Sequence, residues 1–130
     1  MIIDSSALLA VVLDEPESHL IAEVLADTRD LRMSAVNWLE SMMVLESRHA
    51  AAAAEKATAL LNQYNVEIIP FDQVQMRTAQ DAWRRFGKGN HPAGLNLADC
   101  CAYAAALTSG EPLLYKGDDF SKTDIDSVNW

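Results

Sequence analysis

Acidic residues stand at four places in the chain where they could do chemistry together. Asp4 ends the apolar run Met1-Ile2-Ile3, Glu40 lies in the segment after Ser34, Asp99 follows Asn96-Leu97-Ala98, and Asp118-Asp119 come after Leu113-Leu114-Tyr115. Carboxylates crowded onto one spot repel each other, which raises their pKa values and destabilises the fold. Hard divalent cations relieve that repulsion, and Mg²⁺ or Mn²⁺ take carboxylates and water as ligands. Ions of this kind activate water and stabilise the leaving oxygen of a phosphodiester. Such chemistry also suits a chain with no cysteine or histidine nucleophile pair.

Each acid has a plainer reading. Asp4 before Ser5-Ser6 is a good N-terminal helix signal. Asp99 suits the positive end of a helix, and Glu40 suits a solvated helix surface, as Glu46 does. What favours the chemical reading is placement, because in parallel α/β sheets ligand sites lie beyond the carboxyl ends of the strands.

The elements that would place the acids follow from hydrophobic pattern and punctuation. A first strand ends at Asp4, and a helix over residues 6 to 13 has Ser5 or Ser6 as its N-cap. Asp14-Glu15-Pro16-Glu17 breaks it before a second helix, about 17 to 28. Leu31-Arg32-Met33-Ser34 reads as a short strand. The helix from Ala35 to about His49 is expected to turn Val36, Leu39, Met43 and Leu45 toward a core, with the Met42-Met43 pair packing inside. An alanine-rich helix from Ala50 to about Tyr64 follows. Residues 66 to 71 are rich in β-branched side chains and read as a strand. Asp72 caps a helix to Phe86, residues 87 to 94 form a glycine-rich flexible loop, and Leu97 to Thr108 is a helix closed by Gly110. Pro112 to Tyr115 is the next strand, and Val128-Asn129-Trp130 a final edge strand. Strands alternating with helices imply one α/β domain over residues 1–130, a central parallel sheet of four to five strands with helices on both faces.

Composition narrows the classes. The chain has 130 residues, half of them hydrophobic, a size and makeup suited to one folded core. No apolar stretch could span a membrane. The first residues lack the marks of a signal peptide, so a cytoplasmic protein is expected. Adjacent Cys100 and Cys101 read as small buried residues rather than a disulfide or zinc site. The net charge of −9 argues against a charge-driven nucleic-acid binder, yet not against an enzyme whose cations reverse the local field. Arg84, Arg85 and Lys88 form a local basic patch that reads equally as a solvated helix end or as a contact for RNA phosphates, with Lys116 a further candidate. His91 in the neighbouring loop is a weaker one, and Trp38 and Trp83 read as core or interface anchors.

Four segments in order, Ile2-Ile3-Asp4-Ser5-Ser6-Ala7, Ser34 through Glu40, Gly94 through Cys100, and Leu113-Leu114-Tyr115-Lys116-Gly117-Asp118-Asp119-Phe120, make the chain resemble a PIN-domain ribonuclease of the VapC toxin type. The resemblance covers nearly the whole chain. It implies a PIN-like three-layer α/β/α sandwich and a Mg²⁺-dependent endoribonuclease, with Mn²⁺ a possible substitute. It also implies a toxin of a type II toxin–antitoxin module, homodimeric and neutralised by a cognate antitoxin, with RNA as substrate. By resemblance Asp4, Glu40 and Asp99 match the family's acidic positions, Asp4 and Asp99 being the principal metal ligands. Asp119 is the better match for the fourth acid and Asp118 the alternative. Many relatives carry a threonine and an acid or asparagine where this chain has Tyr115 and Gly117. Ser6 matches a small hydroxyl near the first acid, able to orient a carboxylate, and Asn37 sits one turn before Glu40 on the same helix face. Two other readings stay open. One is a receiver-like phospho-accepting domain using Asp72 and Lys116, although the acid pair such a domain needs after its first strand is absent. The other is a catalytically silent PIN-like domain that only binds its partner.

Overall fold

A computed structural model describes residues 1–49 and 51–130; Ala50, expected to open the fourth helix, lies outside them. Six α-helices and four strands alternate along the described residues: β1 (Ile2–Ile3), α1 (Ser5–Val12), α2 (Ser18–Asp27), β2 (Arg32–Ser34), α3 (Ala35–Arg48), α4 (Ala51–Gln63), β3 (Glu67–Ile69), α5 (Gln73–Phe86), α6 (Leu97–Ser109) and β4 (Leu113–Leu114). A 3₁₀ turn at Phe120–Lys122 follows. All strand pairs are parallel and the order is β3-β2-β1-β4.

The side-chain period of two divides the short strands between two cores. Ile3, Met33 and Leu114 join the apolar residues of α1, α2, α3 and α4 on one face, while Ile2 and Leu113, in register with each other, join α5 and α6 on the other. Both faces are covered, as a parallel sheet requires. Because the chain proceeds from β1 outward to β3 and then returns to β4 on β1's other side, the strand order reverses between β1 and β4. Such a switch point leaves a crevice at the carboxyl ends of the two strands.

Arginine in β2 does not disrupt the strand, since Arg32 is only partly buried and pairs with Glu111 at 2.5 Å. The expected final edge strand is not formed. It shrinks to a single parallel bridge between Ser127 and Leu113, and Val128 donates its N–H to the Leu113 carbonyl at 3.0 Å. The glycine-rich segment is tied rather than slack: Gly87 bridges Leu95, and the N–H groups of Asn90 and His91 both donate to the Gly87 carbonyl. His91 is absorbed there, its ring edge-on to Phe86 and its Nδ1 accepting from the Ala93 N–H at 3.1 Å. Cys100 and Cys101 are buried free thiols, consistent with small core residues. Among the described residues no helix is long and apolar enough to cross a membrane.

In α3 the inward face differs from the expected one. Leu45 is fully buried and Trp38 and Met42 pack against the core, but Leu39 and Met43 are 59% and 62% exposed. Helical spacing makes this inevitable: residues 38, 42 and 45 share one face, so 39 and 43 must look away from it.

Candidate active site

At the switch point β1 stops after two residues because Asp4 turns the chain into α1. Its backbone is extended and its side chain caps the helix, Oδ2 accepting from the Ser6 N–H at 2.9 Å. The cap is therefore Asp4 itself, not Ser5 or Ser6 as the sequence suggested. Capping and burial coincide, for Asp4 is only 3% exposed. Its carboxylate accepts two more hydrogen bonds, from the Ser6 hydroxyl to Oδ2 at 2.5 Å and from Asn37 Nδ2 to Oδ1 at 3.1 Å.

Asn37 is fully buried one turn into α3 and joins three elements. Besides Asp4, its Nδ2 faces the Ser5 hydroxyl and the Ala98 carbonyl at the start of α6, each at 3.1 Å. Its backbone carbonyl accepts from the hydroxyls of Ser5 and Ser41. Sequence reasoning placed Asn37 in a supporting role but missed Ser5 and Ser41; small hydroxyl residues give no periodic signal of such contacts. Asn37 Oδ1 is buried without a hydrogen-bond partner, an acceptor left open on the very amide that touches Asp4.

Asp99 opens α6 in a reciprocal capping box: the Asp99 N–H donates to Asn96 Oδ1 at 2.9 Å, and the Asn96 N–H donates to Asp99 Oδ2 at 2.8 Å. The plain capping reading of Asp4 and Asp99 is thus correct without exhausting them. Each cap leaves lone pairs over, and the acids feel one another. Burial pushes the Asp4 carboxyl up to about 6, despite the bonds from Ser6 that favour its charged form, and the charges of Asp99 and Glu40 add to the rise. Burial also raises Asp99, which Asp119 and Glu40 raise further. Asp4 therefore lies within electrostatic reach of Asp99 and Glu40, and Asp99 within reach of Glu40 and Asp119. Asp118 and Asp119 are both exposed, and of the two it is Asp119 whose charge adds to the rise at Asp99.

Gly117 explains the departure after β4. It adopts φ +108°, a conformation that strains any residue with a Cβ. The backbone's left-handed turn, rather than a ligand, occupies that place, and it leads the chain to Asp119.

The donor set fits a hard cation in chemistry: oxygen only, negative, and partly buried, with an unpaired amide oxygen beside it. It is not a preassembled shell, because among the described residues no three Asp, Glu, His or Cys side chains are gathered closely enough to grip one ion. The convergence expected from sequence is looser than a finished site.

The basic candidates are mostly committed elsewhere. Arg84 pairs with Asp81 at 2.9 Å, and Arg85 with Asp124 at 2.6 Å while donating to the Tyr103 hydroxyl at 3.4 Å. Lys116 pairs with Glu15 and Glu17. Lys88 is exposed beside an open groove of about 460 Å³ lined by Phe71, Met76, Trp83 and Leu97. Trp83, 50% exposed, is no core residue. Asp72 caps α5 through the Gln75 N–H at 2.9 Å, and Lys116, its counterpart in the phospho-acceptor reading, is paired with Glu15 and Glu17 instead.

A parallel sheet with a buried acid at its switch point is an arrangement suited to an α/β nuclease, and the comparisons agree in family and fold. The PIN-domain family model matches residues 1–126, and the chain belongs to that family. It is 41% identical over 129 residues, 99% of this chain and all of the relative, to a ribonuclease VapC of Mycolicibacterium smegmatis. In fold it superposes on the Mycobacterium tuberculosis toxin VapC20, described as cleaving the sarcin–ricin loop, with a TM-score of 0.80 at 17% identity and 98% of each chain covered. It also matches a chain of the VapBC2 complex of Rickettsia felis bound to promoter DNA, with a TM-score of 0.76 at 15% identity, covering 99% of this chain and 97% of that one.

Ionisation of Asp4 gives this site a measurable pH signature. A carboxyl whose folded pKa lies above its unfolded value stabilises the fold fully below the unfolded pKa and loses that contribution as pH rises through the folded one. Asp4→Asn, which keeps the shape without the charge, should therefore gain on the parent chain as pH rises. In chelator, urea unfolding should show its relative stability increasing by about 1–2 kcal/mol between pH 5 and pH 7.5.

Proposed function

We propose that this protein is a Mg²⁺-dependent endoribonuclease, the toxin of a VapBC-like module, held inactive by a cognate antitoxin. The observation that carries the reading is the buried Asp4 carboxylate at the β1/β4 switch point, with Asp99 and Glu40 close enough to raise its pKa. The names of its relatives, ribonuclease VapC among them, supply the substrate class.

Asp4 and Asp99 would hold the cation, with Glu40 and Asp119 completing the site directly or through water. The bound ion, Mn²⁺ being a possible substitute for Mg²⁺, would supply water activation and charge stabilisation at the scissile phosphate. The chain's own part is to keep the carboxylates aimed and sheltered. Ser6 and Asn37 fix the two oxygens of Asp4, and the capping box fixes Asp99, so neither acid spends conformational freedom on reaching the substrate. Protons compete with the cation for the Asp4 carboxyl, which titrates at about 6 without metal, so activity should need more Mg²⁺ in mildly acidic solution. Lys88 and the exposed groove beside it are left as a contact for the RNA backbone.

Two partners follow from the same reading. The structural neighbours include VapBC assemblies, which favours an antitoxin partner, and an acidic toxin suits a basic antitoxin segment. A homodimer is proposed through the apolar face of α3, where exposed Leu39 and Met43 line a groove of about 550 Å³ with Val36, Val44 and Leu97. Contiguous exposed apolar surface of this kind marks an interface.

Incubation with total cellular RNA, with and without chelator, followed by sequencing of new ends, tests the activity. The parent chain should generate metal-dependent ends, and Asp99→Asn should lose them while keeping its circular dichroism. Cleavage retained in that variant would refute the site assignment, and a parent chain that never cleaves would leave only a silent binding domain. For the dimer, Leu39→Lys with Met43→Lys should halve the mass seen by analytical ultracentrifugation, and an unchanged mass would exclude this face.

A further inference from the structure

We infer that Lys116 is a positioning residue for the fourth acid, acting through a three-charge clamp with Glu15 and Glu17. The inference rests on the nuclease reading for its consequence in catalysis, though not for its geometry.

The need for such a clamp follows from how the β1/β4 ladder ends. The Ile2 and Asp4 N–H groups donate to the Pro112 and Leu114 carbonyls at 3.0 and 2.9 Å, and in a parallel ladder the next N–H from β4 would seek the Asp4 carbonyl. That carbonyl already accepts from the Leu8 N–H inside α1. The Ser6 hydroxyl takes its place, accepting from the Lys116 N–H at 2.9 Å while donating to Asp4 Oδ2 at 2.5 Å. One hydroxyl thus links the aim of the first acid to the course of the strand that leads to the fourth.

Beyond Lys116 the chain is held lightly and only from its far side, the Asp118 carbonyl accepting from the Ser121 hydroxyl at 2.6 Å and the Asp119 carbonyl from the Lys122 N–H at 3.4 Å. Gly117 has open space around it, and Asp118 and Asp119 are exposed. Order returns at Phe120, which is buried and lies 4.9 Å, centroid to centroid, from Tyr115. The Tyr115 carbonyl in turn accepts from Trp130 Nε1 at 2.9 Å. The acid that raises Asp99 therefore sits in a three-residue span between two anchors, Lys116 and Phe120. On the Lys116 side, the backbone bond to Ser6 is reinforced by the ammonium, which bonds to Glu15 and lies 2.8 Å from Glu17. Both glutamates come from the α1–α2 connection, so the clamp ties that loop to the exit of β4.

An exposed ion pair adds little to global stability. Holding a flexible acid is a different matter, because a displacement of about 1 Å in a catalytic group can cost on the order of a hundredfold in rate. The clamp also explains why Lys116, a candidate for RNA contact by sequence, is directed to the chain's own acids.

The test compares Lys116→Met, Glu15→Gln with Glu17→Gln, their combination, and Lys116→Arg. Metal-free amide hydrogen exchange should accelerate several-fold at residues 117–119 in the first two, with global unfolding unchanged. In Mg²⁺, RNA cleavage should fall roughly tenfold in kcat with KM held, the defects should not add in the combined variant, and Lys116→Arg should restore most of the loss. Unchanged exchange at residues 117–119 would overturn the clamp, whatever the activity. A rise in KM alone, confined to the Lys116 variants and steeper at high salt, would instead make Lys116 an RNA contact. If the parent chain proves inactive, the nuclease reading fails while the exchange result still decides the clamp.

Discussion

A carboxylate confined to the interior cannot be left uncompensated, and the arrangement around Asp4 depends on that constraint. The residue is 3% exposed, capped onto its own helix and pushed up to about 6 by burial and by two neighbouring acids. Three hydrogen bonds soften the cost of its charge without removing it. What remains is a standing electrostatic deficit at the β1/β4 switch point, of a size and sign that a hard cation would relieve. Ionisable groups held in perturbed states in this way are common at functional sites.

The polar network around Asp4 joins elements far apart in sequence. Asn37 links the end of β1, the start of α1 and the start of α6; Ser6 links Asp4 to the exit of β4. Asp4 comes from the β1–α1 junction, Glu40 from α3, Asp99 from the loop-to-helix start of α6 and Asp119 from the exit of β4, and these two small side chains register the elements against one another. Because Asp4 and Asp99 cap the helices that present them, the backbone amides at those helix starts favour the ionised carboxylates that the surroundings oppose.

Much of this was legible from residues alone. The strand ending at Asp4, the parallel alternation and the four acid-bearing segments follow from apolar runs, caps and the PIN-like pattern. Where reading failed, the reason is physical. A cap is decided by backbone conformation, so Asp4 could not be told from Ser5 or Ser6. The face of α3 depends on where the sheet lies, and Leu39 and Met43 were assigned inward although the core lies on the side of Trp38, Met42 and Leu45. Val128-Asn129-Trp130 has strand-like composition but forms no strand, its contact with β4 being the Val128 N–H to the Leu113 carbonyl beside the Ser127–Leu113 bridge. Asp118 and Asp119 are adjacent and alike in type, so only their reach toward Asp99 tells them apart, and the partners of Lys116, Arg84 and Arg85 lie too far along the chain or too close to solvent to be read from pattern.

The account turns on the Asp4 charge being balanced by a cation, and this can be observed at the carboxyl carbon itself. Carbon-detected nuclear magnetic resonance of the protein labelled at aspartate should show the Asp4 carboxyl titrating near pH 6 without divalent metal, the position set by its burial. Saturating Mg²⁺ should move that inflection clearly downward, because a bound cation favours the charged form. An inflection that stays near pH 6 in Mg²⁺ would contradict the claim.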